Sequence, residues 1–166
     1  MMIRFIWLCL LLVSVSAKAE LTIEITQGIA SSIPISIVPM QWQGATELPE
    51  SIGDIVRSDL ERSGHFSVLS PDDMLSHPSE LEDIYFRDWR LLKQEYVVIA
   101  QIKLNGQDQY QIRYQLFDVF NEREVLTQTL TAKANQLRDI AHRISDEIYE
   151  QLTGIRGVFS TRIAYV

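Results

Sequence analysis

The sequence predicts an exported α/β domain: a mixed sheet of about five strands covered by three helices, preceded by a signal peptide and a free N-terminal strand. Three observations predict it. In the last quarter, Leu137, Ile140, Ala141, Ile144, Ile148 and Leu152 recur at three- and four-residue steps, one stripe of an amphipathic helix. Between Tyr96 and Ala132, apolar and polar residues alternate in three runs parted by turn residues, the pattern of a meander with one wet face. Between Pro34 and Leu69 a strand, a helix and a second strand follow one another, a right-handed crossover unit if the strands are parallel.

Met1–Ala19 reads as a signal peptide. Arg4 supplies the positive start, Phe5–Val15 a short apolar core, and Ala17-Lys18-Ala19 the small-x-small site before a cut at Glu20. The apolar run is too short for a stable bilayer span. Cys9, the one cysteine, lies inside that core without the small residues that precede a lipidated cysteine. The mature chain therefore has no disulfide and relies on an apolar core, which roughly 150 residues can supply as one domain. Losing Arg4 and Lys18 leaves 13 basic against 22 acidic residues, so the net charge moves from −7 to −9. That balance opposes nucleic-acid and anionic-membrane binding and leaves room for a basic protein partner.

The segment Glu20, Leu21, Thr22, Ile23, Glu24, Ile25, Thr26, Gln27 alternates as a half-buried strand does, and Gly28 breaks it. It reads either as an edge strand of the domain's own sheet or as a detachable strand able to add to a partner's sheet. Residues 20–32 are accordingly expected to be this strand and its linker, and residues 33–157 the α/β domain.

Within that domain, Pro34–Met40 is the first strand, its prolines suiting strand ends or an edge, and Gln41–Thr46 a loop. Pro49–Ser63 is a helix with Ile52, Ile55, Val56 and Leu60 inward, Gly64 as its stop, and Asp54, Arg57, Asp59, Glu61 and Arg62 on a solvated face. Phe66–Leu69 is a short strand and Ser70–Pro78 a loop. Leu81–Gln94 is a second helix, with Trp89 as a core anchor. Tyr96–Leu104 begins wholly apolar and ends alternating; Asn105-Gly106 and Asn121-Glu122 mark the reversals into the next two strands, the latter Val125–Ala132. The last helix takes Asn135 as N-cap and Gly154 as C-terminal stop, with Asp139 and Arg143 spaced for an ion pair. Val158–Val166 is strand-like with no turn or polar tail after it. It reads either as a C-terminal edge strand of the same domain or, since natural proteins avoid an unpaired apolar edge, as the opening of a further domain, which is the expectation.

Signs of catalysis or metal binding are absent. No Gly-rich phosphate loop, HExxH, GxSxG or CxxC occurs. Asp72, Asp73 and His77 share a loop without any recurring ligand spacing. His142 and Asp146 are four apart on the last helix, which reads as a surface or boundary histidine with a helical neighbour. No catalytic, cofactor or metal residue is assigned.

The run AHRISDEIYEQLTGIRGVFSTRIAYV, Ala141–Val166, resembles the domain junction of the TolB family, periplasmic proteins of the bacterial Tol–Pal system. ITQG at Ile25–Gly28, DLERSGHFSVL at Asp59–Leu69, and the runs YVVIAQI and YQIRYQLFDV fit the same family. The resemblance implies a small α/β domain followed by a six-bladed β-propeller, whose first blade begins at RIAYV. It implies that Glu20–Gln27 contacts a TolA-like inner-membrane partner, and that the propeller contacts a Pal-like lipoprotein. It further implies roles in outer-membrane integrity, cell division and protein import. Read from residues alone, a periplasmic interaction domain stands beside an exported small-molecule-binding or catalytic domain whose site the sequence does not display.

Overall fold

The most continuously apolar run of the mature chain forms the centre of the sheet. The computed structural model describes residues 32–106 and 108–161. The signal segment Met1–Ala19, the strand Glu20–Gln27 and Arg162–Val166 lie outside the described residues. The strands are β1 (Ile33–Ile37), β2 (Gln41–Trp42), β3 (Phe66–Val68), β4 (Tyr96–Leu104), β5 (Gln109–Asp118) and β6 (Arg123–Lys133). Their order is β3-β1-β4-β5-β6, with β2 also against β4. β1 is parallel to β3 and β4, whereas β4, β5 and β6 form an antiparallel meander. The crossover and the meander expected from the pattern thus share one mixed sheet.

The sixth strand sits where a loop was expected. β1 pairs with Tyr96–Val98 and stops at Ile37; β2 then resumes in the same lane, opposite Gln101 and Ile102. Pro39, which has no N–H to give the ladder, separates the two.

Three helices follow the prediction in number but not in extent: α1 (Ile52–Arg62), α2 (Phe86–Leu91) and α3 (Leu137–Thr153). α1 and α3 lie on one face. Ile52, Val56 and Leu60 from α1 and Leu137, Ala141, Ile144 and Ile148 from α3 pack on Ile35, Ile37, Val98, Ala100, Ile102, Ile112, Tyr114 and Leu116. The other face is covered over half its length. There Val97, Ile99, Phe117 and Val119 meet Val38, Met74, Ile84 and Trp89. β4 is apolar without alternation at its start because there both of its faces are buried.

The expected helix Leu81–Gln94 is only partly helical. Leu81–Asp83 is a 3₁₀ turn, and α2 begins after Tyr85. Ile84 and Trp89 both enter the second apolar layer. Five residues apart on one α-helix, they would point about 140° from each other, so the break at Tyr85 lets both face the sheet.

The N-cap of α3 also shifts. A 3₁₀ turn, Ala134–Gln136, precedes the helix, Gln136 is its cap residue, and the Gln136 side chain accepts from the Lys133 N–H at 3.0 Å. Gly154, at φ 72°, ends the helix as expected, in a left-handed conformation that favours glycine. Arg143 reaches forward to Glu147 at 2.8 Å. Glu147 also accepts the hydroxyl of buried Tyr114. Burial, and then the bond to Glu147, push the Tyr114 hydroxyl pKa well up, so it remains a donor.

Ile144 and Ile148 are fully buried, whereas Ile140 on the same stripe is half-buried. Ile148→Ala is expected to cost about 2–5 kcal/mol in a denaturant titration, and Ile140→Ala distinctly less. Equal losses would mean that the helix is rotated from the face described.

Candidate functional site at the end where the chain joins and leaves the sheet

Two features of the α1–α3 layer have the residue types from which sites are built. The first is a buried polar cluster. Asp59, expected on the solvated face of α1, is 1% exposed. One of its oxygens accepts from Arg62 Nη2 at 2.6 Å. The other is met by His142 Nδ1 at 2.7 Å and Ser145 Oγ at 2.9 Å, both on α3. The carboxylate can be buried because charge-assisted bonds replace its water. His142 therefore pairs across the helix interface, and not with Asp146 one turn along its own helix.

The residue types are those of a catalytic triad, but the arrangement is not. Serine and histidine both address the carboxylate, and Ser145 is fully buried, out of reach of a substrate. The cluster is a polar pin between two helices. The other singled-out loop residues do not converge on a site: His77 Nε2 lies 3.4 Å from the Pro71 carbonyl oxygen. Among the described residues no group of three or more His, Cys, Asp or Glu is placed to hold a metal.

The second feature is the meeting of the first and last described segments. The Ile33 N–H donates to the His65 carbonyl at 2.8 Å. The His65 ring meets Tyr149 of α3 edge-on at 5.4 Å, and Tyr149 in turn meets Phe66 at 5.9 Å and Phe159 at 5.7 Å. Asp146 holds the outgoing chain: its carboxylate accepts the Phe159 N–H at 2.7 Å and the Ser160 N–H at 3.1 Å. Gly157 makes that approach possible, since a Cβ there would stand 2.5 Å from the Asp146 Cα. Hence Val158–Thr161, expected to open a strand, forms a turn clamped on α3. Beside it lies a concavity of about 310 Å³ lined by Ser63, Tyr149, Ile155, Val158 and Phe159. The predicted partner strand, Glu20, Leu21, Thr22, Ile23, Glu24, Ile25, Thr26 and Gln27, precedes this end of the sheet in sequence but lies outside the described residues.

Fold and site together define a mixed α/β domain whose buried polar residues lock its elements to one another. Residues 21–125 match the family model of the TolB amino-terminal domain, and the chain belongs to that family. The Tol–Pal system protein TolB of Marinomonas sp. (strain MWYL1) is 48% identical over 159 residues, covering 95% of this chain and 37% of that protein. That of Nitrosococcus oceani is 43% identical over 166 residues, again covering 37% of the relative. A crystal structure of TolB from Acinetobacter baumannii superposes with a TM-score of 0.65 at 35% identity, over 78% of this chain and 30% of that one. The chain thus spans little more than a third of the length of these curated relatives.

The polar pin is open to a direct test by denaturant titration. Asp59→Ala is expected to cost about 3–5 kcal/mol, because it leaves buried donors unpaired. His142→Ala is expected to cost about 1–3 kcal/mol, and His77→Gln to stay within about 0.5 kcal/mol of the parent. If His142→Ala were as silent as His77→Gln, the bond to Asp59 would not be made in solution.

Proposed function

We propose that this chain is the amino-terminal part of a periplasmic component of a Tol–Pal system, and that it acts by binding partners and not by catalysis. Signal cleavage after Ala19 would free Glu20–Gln27 as a strand. That strand adds to a sheet edge on a TolA-like inner-membrane partner, while Val158–Val166 leads into a β-propeller that takes a Pal-like lipoprotein. Membership of the TolB amino-terminal domain family carries this reading, with the matched region already begun at residue 21.

The mechanism is main-chain pairing with side-chain register. Leu21, Ile23 and Ile25 share one face and fill pockets, while the backbone supplies the ladder. Ordering the segment costs roughly 1–2 kcal/mol per residue, so affinity is expected to be modest. The system's work in outer-membrane integrity, cell division and protein import would then depend on how this strand is presented.

Export is tested by mass spectrometry of periplasmic protein, which should give an N-terminus at Glu20; recovery of Met1 in a membrane fraction would contradict it. Binding is tested by an isotherm beside a melt. Deleting Glu20–Gln27 is expected to abolish binding to a TolA-like domain and leave the melting temperature almost unchanged. Ile23→Pro should do the same, since it removes a ladder donor and an apolar contact together. Should the deletion unfold the domain or leave binding intact, the segment is an ordinary structural strand.

A further inference from the structure

The half of the sheet that no described helix covers carries two cations that pair with no carboxylate among the described residues. Lys103 on β4 and Arg113 on β5 point to this open face, and β-pairing sets Gln101 opposite Arg113 and Gln111 opposite Lys103. The two cations are therefore diagonal neighbours, about 7–8 Å apart at the backbone. With Gln101, Gln111 and Thr129 they line a shallow concavity of about 360 Å³. Among the described residues, every arginine except Arg113 and Arg156 pairs with a carboxylate within 4.0 Å. That leaves Arg113 unpaired in a chain of net charge −7, where carboxylates are in excess.

The register shows why. Alternate residues of β5 and β6 on this face, from Gln109 to Gln115 and from Thr127 to Lys133, include no Asp or Glu. Two carboxylates at its margins are engaged by amides: Glu80 accepts from Gln101, and Glu124 accepts from Gln115 at 2.7 Å. Lys133 adds a third cation on the same face, two residues beyond Thr131 and opposite Gln109. Like charges set side by side on a sheet repel, so an incoming anion would relieve them.

We propose that this open face is a binding surface for an acidic segment of a partner protein, with Lys103 and Arg113 receiving its carboxylates. Charge complementarity selects the sign. The flatness of the face selects an extended chain over a free phosphate, which needs converging N–H donors in a cradle. Arg113 offers a planar fork to a carboxylate, and Lys103 a mobile point charge. The Gln111 carboxamide and the Thr129 hydroxyl can bond the peptide's own amides. This surface is distinct from Glu20–Gln27 and from the groove beside Tyr149, so its failure and that of the strand mechanism are separable.

The test is an amide-resolved NMR titration of the signal-cleaved chain with a peptide of alternating Glu and Ser, beside its Gln-and-Ser counterpart. Amide shifts are expected around Gln101, Lys103, Gln111, Arg113 and Thr129 with the acidic peptide alone, weakening as salt rises. Lys103→Glu with Arg113→Glu should weaken binding roughly tenfold or more, the effect of losing two exposed charge contacts. Lys103→Gln with Arg113→Gln is the milder companion, each variant being checked by a melt. Arg156→Gln and deletion of Glu20–Gln27 should leave the isotherm unchanged. Equal binding of the uncharged peptide, shifts centred elsewhere, or full competition by inorganic phosphate would each overturn the proposal.

Discussion

The packing of α1 on α3, pinned by one buried carboxylate, is the interaction on which the rest of the structure depends. Apolar stripes alone would let two helices slide or rotate against each other with small losses. Asp59 does not permit that freedom. A shift by one helical turn would take it away from His142 and Ser145 and leave a charge in an apolar layer, at a cost of several kcal/mol. The pin thus sets the register of α1 on α3, and both helices together set the layer that covers β1, β4 and β5.

That register places the working parts of the domain. α1 leads into the turn containing His65, and α3 leads into the clamped turn at Phe159, so both helices finish beside Tyr149. The first described strand joins at the same place through Ile33. The described residues therefore begin and end at one end of the domain, where an apolar groove lies beside Tyr149 and Phe159. The opposite end of the sheet has a different character. The short α2 layer stops halfway, and polar side chains of β4, β5 and β6 face solvent there.

The parts of this architecture with a local cause could be read from sequence. β4 and α3 were legible because unbroken apolar runs and 3.6-residue periodicity are written in neighbouring residues, and Gly154 marked its helix end through backbone conformation alone. β2 was missed because two residues carry no period, and Pro39 hides their continuity with β1. α2 was overestimated because Ile84 and Trp89 look compatible with one helix until the second face of the sheet demands both. The buried role of Asp59 was illegible for a deeper reason. Its partners lie 83 and 86 residues away, and a charged residue between Glu61 and Arg57 has the local appearance of a solvated face. Of the candidate site, the N-terminal strand was proposed from alternation and family resemblance, whereas the clamp of Asp146 on Phe159 and Ser160 required the fold.

α1, α3 and the sheet centre form one cooperative unit held by that pin. Native-state amide hydrogen exchange of the signal-cleaved chain tests it most directly. Amides of Val56–Leu60, Ala141–Ile148 and Val97–Ile102 are expected to share the highest protection and to exchange only through global unfolding. Exchange of the α3 amides through a smaller, separate opening, with β4 still protected, would contradict it.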